Sequence, residues 1–404
     1  MAVLQGWSLE FFYQNDSDEY VGMGHALASG DLLFTSEEAS WFPLFRTPGY
    51  PLFLGTLYFF GLNDIGVVAV QMLLDAASCL LVFHLVMGVT GSEKGSLLAS
   101  FLFAINPLFI VYSLQMLSES LFLFVFLLSN VLFFSNYERQ SIVARDMVIL
   151  GLLFGLMIWI RPISILFPVF YAVLLYKKHK VLSPSALLLI LPAVFVLLWI
   201  MRNYLLAEEA VFSATVLWNV VCYYAGSVAN DPASDISGFS HFIWAYHLHD
   251  PPVCTLLPYE QLKAGWNPAI EMILLNLPLF IKHSALGSLG LFEPFSPPHR
   301  LADAMPSSPT EIEIFGIETT IYENLIPFYA FSLVYSLILY SSSIYLLVKG
   351  GRKKKHVLWL FLVLLLYTAV VNGPLNYARY RFPLEPFFII FAASALAAWL
   401  WKKS

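Results

Sequence analysis

Charged residues and cysteines are both scarce in this chain of 404 residues. Asp, Glu, Lys and Arg make up 12% of the sequence, where a soluble domain carries about 25%. The formal net charge is -6, and no basic stripe of the kind that binds nucleic acid lies outside short loops. The three cysteines, Cys79, Cys222 and Cys254, form neither a disulfide framework nor a zinc pattern, and a Cys222–Cys254 bridge is conceivable but not favoured. Composition therefore excludes a nucleic-acid-binding protein and a small domain built on zinc or disulfides.

Apolar residues dominate instead, at 59% of the chain with a mean hydropathy of +0.74. A membrane-spanning helix needs about 20 apolar residues, and clear runs of this kind occupy 65–87, 96–113, 117–135, 184–201, 325–348, 357–371 and 384–401. The run 147–176 is broken by Arg161 and Pro162. Because a buried Arg and a helix-interior Pro are both unfavourable within a span, two short helices turning at Arg161 are predicted there. The runs 48–62 and 269–292 are expected to lie in the membrane interface.

These runs predict an all-α polytopic membrane protein with about nine spans plus interfacial helices and outer loops. Alternation of the spans puts 13 of the 21 basic residues on one side, in the loops 88–95, 136–146, 177–183 and 349–356 and at the C-terminus. By the positive-inside rule this side is the cytoplasm. We therefore expect outer loops and interfacial helices over 1–64, a transmembrane bundle over 65–201, a long outer loop with an interfacial helix over 202–324, and C-terminal transmembrane helices over 325–404.

Eight basic residues lie on the outer side, against this rule. They are Arg46, Arg161, Arg202, Lys263, Lys282, Arg300, Arg379 and Arg381. An anionic lipid headgroup would explain fixed cations in this position, and pairing with outer carboxylates such as Glu385 is the alternative. Arg379 and Arg381 flank Tyr380 in the loop before the last span, where they form either a phosphate grip or an interfacial snorkelling pair.

The segment 14–51 is long. It is not apolar enough to enter a bilayer, and its composition is too varied for a linker. It carries Asp16, Asp18 and Glu19 just before Tyr20, and it ends on Arg46-Thr-Pro-Gly-Tyr50-Pro. A carboxylate held at the water-facing edge of a cavity suits acid–base chemistry. A solvated helix N-terminus, where acids are common, explains the same acids without chemistry.

Glu119 opens a span at the predicted outer face, where Asp16 also lies. Two carboxylates from distant parts of the chain could share a divalent ion such as Mg or Mn, or divide acid and base roles. The alternative is a helix-start acid stabilised by the helix dipole. Asp75 lies well inside its own span, and we expect it to hydrogen-bond Gln71 four residues earlier. The loop with His241, His247, His249 and Asp250 lacks a recognised metal pattern and is expected to be solvated, or to cover the site or bind an acceptor.

Together these motifs resemble the GT-C superfamily of membrane glycosyltransferases, which includes the protein O-mannosyltransferases and the lipid A aminoarabinose transferases. The resemblance lies in short motifs that follow the superfamily's order: Asp16 to Tyr20, Ala26-Leu-Ala-Ser-Gly-Asp31, Arg46-Thr-Pro-Gly-Tyr-Pro51, Ser118-Glu119-Ser-Leu, Ile160-Arg161-Pro162, Trp199-Ile-Met-Arg202-Asn203 and Ala378-Arg-Tyr-Arg-Phe-Pro-Leu-Glu-Pro386.

The resemblance implies a polyprenyl-phosphate-linked sugar donor, inversion at the anomeric carbon, and an active site at the non-cytoplasmic face of the plasma (inner) membrane. Asp16 matches the superfamily's catalytic aspartate, and Glu119 matches a second acid that often binds metal. The acceptor would be a lipid, a glycan or a protein, and membrane lipids surround the spans. The implied substrate-binding residues are Asp18, Glu19, Tyr20, Arg46, Tyr50, Arg161, Arg202, Arg379, Tyr380 and Arg381.

One departure concerns the start of the chain. Members of the superfamily begin with a membrane span before the catalytic loop, and residues 1–13 are too short to cross a bilayer. A missing span or another route outward is therefore expected. A lipid-glycan flippase or small-molecule transporter is the rival function, but no internal repeat is visible and charge gathers at one face instead of the midplane. A scaffold without catalysis would leave the outer arginines unexplained.

Overall fold

The computed structural model describes residues 12–14, 16–34, 44–229, 231–233, 259–294, 309–314, 317–322, 326–350, 355–375 and 378–401. The histidine-bearing loop 241–250, Cys254 and Arg300 lie outside these residues. Cys222 is disulfide-bonded, although the sequence did not favour a disulfide at this residue. Cys79 is a free thiol.

Sixteen α-helices are described. They are α1 (Ser17–Ala28), α2 (Gly49–Phe59), α3 (Asp64–Thr90), α4 (Glu93–Ala104), α5 (Pro107–Ser113), α6 (Glu119–Glu138), α7 (Ala144–Ile160), α8 (Phe167–His179), α9 (Leu182–Ala207), α10 (Thr215–Trp218), α11 (Ala225–Ala229), α12 (Tyr259–Leu275), α13 (Leu277–Gly290), α14 (Ile326–Gly350), α15 (Lys355–Asn372) and α16 (Glu385–Leu400). A π-helix, Asn219–Tyr224, joins α10 to α11, and three short 3-10 helices cover Pro162–Leu166, Gly373–Leu375 and Ala378–Arg381. Strands β1 (Pro309–Ile314) and β2 (Ile317–Tyr322) pair antiparallel as a small hairpin.

Five of these helices are long and apolar enough to cross a membrane, namely α3, α6, α9 from Pro184, α14 to Leu346 and α15. The bent pairs α4–α5, with a bend of 52°, and α12–α13, with a bend of 93°, raise the number to seven if each pair is one span. The prediction of a polytopic helical membrane protein is confirmed, but the count of nine is not. The run 269–292, predicted as one interfacial stretch, is instead divided between two helices at this sharp bend.

The predicted break at Arg161 is confirmed. Helix α7 ends at Ile160, and α8 begins at Phe167 after a 3-10 turn that starts with Pro162. Gly151 packs against Leu191, and further along the same helices Trp159 packs against Trp199. Because residue numbers increase in the same direction along both helices, α7 and α9 run parallel, and α8 runs back antiparallel to them. This hairpin places Arg161 at a helix end.

Local sequence signals explain where the long helices begin and end. Asn63 accepts a hydrogen bond from the Gly66 N–H at the start of α3, and Gly91, with φ of 69°, ends it in a left-handed conformation. The Asn106 side chain caps α5 by accepting hydrogen bonds from the Leu108 and Phe109 N–H groups. Side-chain caps of this type satisfy N–H groups that have no partner within the helix.

The bundle has two chemically different ends. At one end Tyr137 packs against His179 and His356, and the Lys94 ammonium lies 5.5 Å from the Trp401 ring. The basic loops identified in the sequence adjoin the helices at this end of the bundle. Helix α6 starts at the opposite end, and its 20 residues separate the two ends by roughly 30 Å. Glu119, the first residue of α6, therefore lies far from the lysine-rich end.

Candidate active site

Asp16 is held between two arginines. It precedes α1, but its carboxylate makes no capping hydrogen bond to that helix. Instead Oδ1 pairs with Arg46 at 2.8 Å and Oδ2 pairs with Arg379 at 2.9 Å. Arg46 also donates its Nε–H to Glu19 at 2.6 Å. An acid that only stabilises a helix N-terminus would not need two guanidinium partners, so Asp16 is part of an ion-pair cluster.

Glu119 is the second acid of this cluster. Its carboxylate is fully buried, and its Oε1 pairs with Arg161 at 2.6 Å. The same oxygen accepts a hydrogen bond from the Nε–H of Arg379. Arg379 thus contacts both Asp16 and Glu119, and the two acids that are 103 positions apart in sequence belong to one cluster at one end of the bundle.

The backbone around Gly49 explains how Arg161 reaches this cluster. A Cβ atom on Gly49 would lie 2.5 Å from the Ile160 nitrogen and 2.6 Å from the Trp159 carbonyl carbon. Only glycine permits so close an approach of α2 to the end of α7. Arg161 follows directly in an extended conformation, with φ of -142° and ψ of 114°, which turns its side chain out of the helix.

A chain of glutamines connects the segments that carry the two acids. Gln14 donates to the Gln115 side chain at 2.7 Å, and Gln71 donates to the Gln115 carbonyl at 2.7 Å. The Tyr50 hydroxyl in turn donates to the Gln71 side chain at 2.5 Å. Sequence analysis assigned no role to Gln14 or Gln115, and it paired Gln71 only with Asp75. The available signal was polar side chains next to an acid, in Gln14 before Asp16 and in Gln115 before Glu119.

The electrostatics favour ionised carboxylates. Burial disfavours the charge on Asp16, but the guanidinium groups of Arg46 and Arg379 outweigh burial and hold the pKa of Asp16 well below its usual value. Burial also opposes the charge on Arg379, and the carboxylates of Glu119 and Asp16 outweigh it and raise the pKa of Arg379. The cluster of Asp16, Glu19 and Glu119 with Arg46, Arg161 and Arg379 is therefore neutral in sum.

Each of the three arginines keeps unused hydrogen-bond donors. Among the described residues, the Nη1 groups of Arg46 and Arg379 have no hydrogen-bond partner, and Arg161 uses only Nη1, toward Glu119 and Ser118. A guanidinium group carries five N–H donors in a planar fork that matches a phosphate. The cluster can accept an anion without first breaking its own ion pairs.

A divalent ion does not fit the acids as they are arranged. Both oxygens of Asp16 and one oxygen of Glu119 bind guanidinium groups, and Arg379 occupies the place between the two carboxylates. Of the oxygens of these two carboxylates, Glu119 Oε2 is the one that is buried without a partner among the described residues. Within the part of the chain that the structure describes, no three His, Cys, Asp or Glu side chains come together as a metal site. A metal held by Asp16 and Glu119, as expected from the resemblance, would have to displace Arg379.

Two other arginines that the resemblance assigned to the substrate lie outside the cluster. Arg202 donates to the Leu33 carbonyl through Nε at 3.0 Å, and its guanidinium carbon lies 4.5 Å from the Trp199 ring. Arg381 is buried, pairs with Glu385 at 2.7 Å, and donates to the Leu291 and Glu293 carbonyls. Pairing with Glu385, the alternative raised for the outer cations, is what the structure shows for Arg381.

The remaining predicted residues surround the cluster at different depths. Tyr20 is buried with its ring 4.9 Å from the Tyr50 ring, and the Arg46 guanidinium carbon lies 5.2 Å from the Tyr20 ring. Tyr380 adjoins Arg379, and burial raises the pKa of its hydroxyl, against the effect of Arg379. Asp18 is exposed on α1.

The predicted Gln71–Asp75 hydrogen bond is wrong. Gln71 uses its side chain for Tyr50 and Gln115, while Asp75 Oδ2 accepts a hydrogen bond from the Ser120 hydroxyl at 2.8 Å. The spacing of four residues permits a contact on one helix face, but packing of α3 against α6 offers each side chain a partner on another segment. Asp75 Oδ1 is buried without a partner among the described residues.

Comparisons with known proteins agree with this architecture. Residues 46–201 match the sequence profile of the family described as dolichyl-phosphate-mannose-protein mannosyltransferase. No curated protein matches the chain by sequence. The archaeal oligosaccharyltransferase AglB from Archaeoglobus fulgidus, solved in complex with an inhibitory peptide and a dolichol-phosphate, superposes with a TM-score of 0.51 at 16% identity, over 98% of this chain and 47% of that chain.

Two further solved structures are similar at lower scores. The oligosaccharyltransferase of Archaeoglobus fulgidus tethered with an acceptor peptide containing the NVT sequon has a TM-score of 0.49 at 15% identity, covering 98% of this chain and 46% of that one. ArnT from Cupriavidus metallidurans in the apo state has a TM-score of 0.38 at 11% identity, covering 95% and 72%. The chain spans about half the length of the oligosaccharyltransferases that it resembles.

The described residues form a helical fold with five to seven candidate membrane spans. Residues 46–201 match the mannosyltransferase profile and the fold is similar to that of AglB, so the resemblance to GT-C glycosyltransferases that the motifs indicated is supported in fold and over this part of the chain. The profile begins at Arg46 and ends just before Arg202, so it includes Glu119 and Arg161 but not Asp16 or Arg379.

Proposed function

We propose that the chain is an inverting glycosyltransferase that moves a sugar from a polyprenyl-phosphate-linked donor to an acceptor hydroxyl at the non-cytoplasmic face of the plasma membrane. The observation that carries the proposal is the contact of Arg379 with both Asp16 and Glu119. This contact joins two acids and three arginines at the end of the bundle opposite the lysine-rich loops. A lipid-linked phosphate arriving from the bilayer would meet cations there.

The donor phosphate is the natural ligand of the unused guanidinium N–H groups. Arg46, Arg161 and Arg379 present these groups around the two carboxylates. The AglB structure that shares the fold was solved with a dolichol-phosphate, which supports a polyprenyl-phosphate donor for this chain. As the bond from the anomeric carbon to the phosphate oxygen breaks, charge develops on the phosphate, and fixed cations stabilise that charge most in the transition state.

Asp16 would orient the acceptor hydroxyl. A carboxylate whose pKa is lowered by two arginines is a weak base, so it accepts a hydrogen bond from the hydroxyl and receives the proton only late in the reaction. The acceptor oxygen forms its bond to the anomeric carbon from the side opposite the phosphate, which leaves with its electron pair. Because phosphate is a competent leaving group, positioning and charge stabilisation suffice without a covalent intermediate.

Glu119 would act through the arginines. Its buried carboxylate fixes Arg161 and Arg379, and without it two guanidinium groups would lose their common partner. Glu119 is therefore a positioning residue in this arrangement, and Asp16 is the residue expected to contact the acceptor. Lipid, glycan and protein hydroxyls all suit this chemistry.

The proposal is tested with the full chain purified into lipid nanodiscs, supplied with a radiolabelled polyprenyl-phosphate sugar and total membrane acceptors. Transfer of label to an acceptor, with release of polyprenyl phosphate, is expected. Movement of the donor between leaflets without any transfer would support the flippase alternative and contradict the proposal. Mass spectrometry of surface glycans and lipids from a deletion strain then identifies the sugar and the acceptor.

A further inference from the structure

Two hydroxyls of the segment after α9 hold the backbone next to Arg46. The Ser213 hydroxyl donates to the Phe45 carbonyl at 2.7 Å, and the Thr215 hydroxyl donates to the same carbonyl at 2.9 Å. Because this carbonyl belongs to the peptide bond that joins Phe45 to Arg46, the two hydrogen bonds fix the peptide plane from which the Arg46 side chain extends.

Packing adds to these hydrogen bonds. The Ala214 N–H donates to the Leu44 carbonyl at 2.9 Å, and the edge of one ring meets the face of the other between Phe45 and Trp218, with centroids 5.9 Å apart. The Arg46 guanidinium carbon lies 5.7 Å from the Phe45 ring. Residues 44–46 are thus attached to the segment 213–218 through backbone, hydroxyl and ring contacts.

The other end of this segment reaches the chain that leads to Arg379. Helix α10 continues into the π-helix Asn219–Tyr224, and the Tyr224 hydroxyl donates to the Val371 carbonyl at the end of α15. Burial, and after it the nearby Tyr380 phenol, raise the pKa of the Tyr224 hydroxyl. A Cβ atom on Gly373 would lie 3.5 Å from the Tyr224 ring, so Tyr224 also packs against the turn that follows α15. π-helical turns inside helices often occur at functional sites.

We propose that residues 213–224 form a brace that sets the separation of Arg46 and Arg379 around Asp16. Ser213, Thr215 and Tyr224 are then positioning residues for the sugar transfer proposed above, on which this inference rests. The two arginines bind different oxygens of one carboxylate, at 2.8 and 2.9 Å. Both contacts persist only if the two segments that carry the arginines keep a fixed distance. The brace contacts the first segment at Phe45 and the end of α15, from which the chain continues to Arg379.

The test compares the removal of hydroxyls within the brace with the removal of a hydroxyl just beyond it. The variant Ser213→Ala/Thr215→Val removes both donors to Phe45 while keeping side-chain size. The matched control is Ser227→Ala, because the Ser227 hydroxyl donates only within its own turn, to the Tyr224 carbonyl at 2.9 Å. The full chain in nanodiscs is assayed for transfer from a polyprenyl-phosphate sugar across pH, and its thermal unfolding is followed in parallel.

The double variant is expected to lower kcat by roughly tenfold to a hundredfold, the size of effect that a misplacement of about 1 Å produces. Arg46 helps to lower the pKa of Asp16, so loosening Arg46 raises that pKa. The acid limb of the rate profile should therefore move to higher pH in the double variant. Ser227→Ala should change neither kcat nor the acid limb, and Tyr224→Phe, which loosens the other end, should resemble the double variant.

Several outcomes overturn the brace. One is a double variant that keeps the rate and the pH profile of the wild type. Another is a lower rate with an unchanged acid limb, because the loss of activity would then come from general destabilisation. If the double variant does not fold, the single variants Ser213→Ala and Tyr224→Phe test the brace instead, through kcat and the position of the acid limb. Arg46→Gln separates this inference from the proposed function: full activity of that variant contradicts the function itself, whereas its inactivity beside an unaffected double variant contradicts only the brace.

Discussion

The Arg379 guanidinium donates its Nε–H to the Glu119 carboxylate, although 260 residues separate the two in sequence. Arg379 lies in a one-turn 3-10 helix between α15 and α16, and Glu119 is the first residue of α6. The same guanidinium reaches Asp16 through Nη2. This single side chain therefore connects the start, the middle and the end of the chain in one cluster, and most of the consequences below depend on it.

Arg379→Lys should reduce sugar transfer by at least tenfold. Lysine keeps the charge, but it has one nitrogen where arginine offers a planar fork, so it cannot bind Asp16 and Glu119 at the same time. Initial rates in nanodiscs with a polyprenyl-phosphate sugar measure the effect. Arg139→Lys is the matched control, because Arg139 pairs with Asp146 at 2.8 Å at the lysine-rich end. Equal rates for the two variants would show that the fork geometry of Arg379 is irrelevant.

Removal of divalent ions should leave transfer unchanged. The carboxylate oxygens that could bind a metal are paired with arginines, with the exception of Glu119 Oε2. The guanidinium groups supply the positive charge that the leaving phosphate needs. Rates with excess chelator, compared with rates after Mg or Mn is added back, measure this. A loss of activity that either ion restores would mean that a cation displaces Arg379 during turnover.

Gln71→Met should destabilise the protein because it leaves the Tyr50 hydroxyl without its acceptor and removes one of the hydrogen bonds that the Gln115 carbonyl accepts. A buried polar group that loses its partner costs about 1–3 kcal/mol. Thermal unfolding in nanodiscs should show a lower midpoint. Tyr50→Phe removes the hydroxyl that Gln71→Met leaves unpaired, so the variant with both changes should lose less stability than the sum of the two single variants. Strict additivity would mean that the Tyr50–Gln71 hydrogen bond contributes nothing.

Glu293 gives the protein a pH-dependent stability. Burial, only partly offset by Arg381, raises the pKa of Glu293 to about 7, so the folded state binds its proton more tightly than the unfolded chain does. The contribution of Glu293 to stability is therefore complete below its ordinary pKa and is lost as pH rises to about 7. Glu293→Gln should flatten the change of unfolding midpoint between about pH 4.5 and 7. The exposed Glu260 serves as control, and Glu260→Gln should keep the wild-type slope. Identical slopes in all three proteins would contradict this.

Sequence reasoning reached the membrane class, the helix break at Arg161 and the segments that carry the cluster, and the reason is physical. Apolar length and the cost of Arg and Pro within a span are properties of local sequence, and the excess of lysine in short loops marks one end of the bundle. The outer arginines stood out because they lie against that rule. Arg46, Arg161 and Arg379 are brought together with Asp16 and Glu119, as the motif order suggested.

Side-chain partners could not be predicted in the same way. Arg379 and Arg381 are two residues apart and look alike in sequence, yet one binds Asp16 and the other binds Glu385 inside the bundle. The difference arises because a 3-10 turn points the two side chains in different directions. Gln71 likewise hydrogen-bonds to Tyr50 on α2 and to Gln115 in the turn before α6, and not to Asp75 on its own helix. The partner of a buried polar side chain depends on packing between distant segments, and the spacing of residues along one helix carries no information about that packing.

The most direct measurement is the rate of sugar transfer by Asp16→Asn, beside the wild type and Glu93→Gln, an exposed acid at the lysine-rich end. Asparagine keeps the shape of Asp16 but removes the charge that Arg46 and Arg379 share, so transfer from a polyprenyl-phosphate sugar should fall by about a hundredfold or more, while Glu93→Gln keeps the wild-type rate. Transfer by Asp16→Asn at the wild-type rate would contradict the proposal that the cluster of three acids and three arginines performs the chemistry.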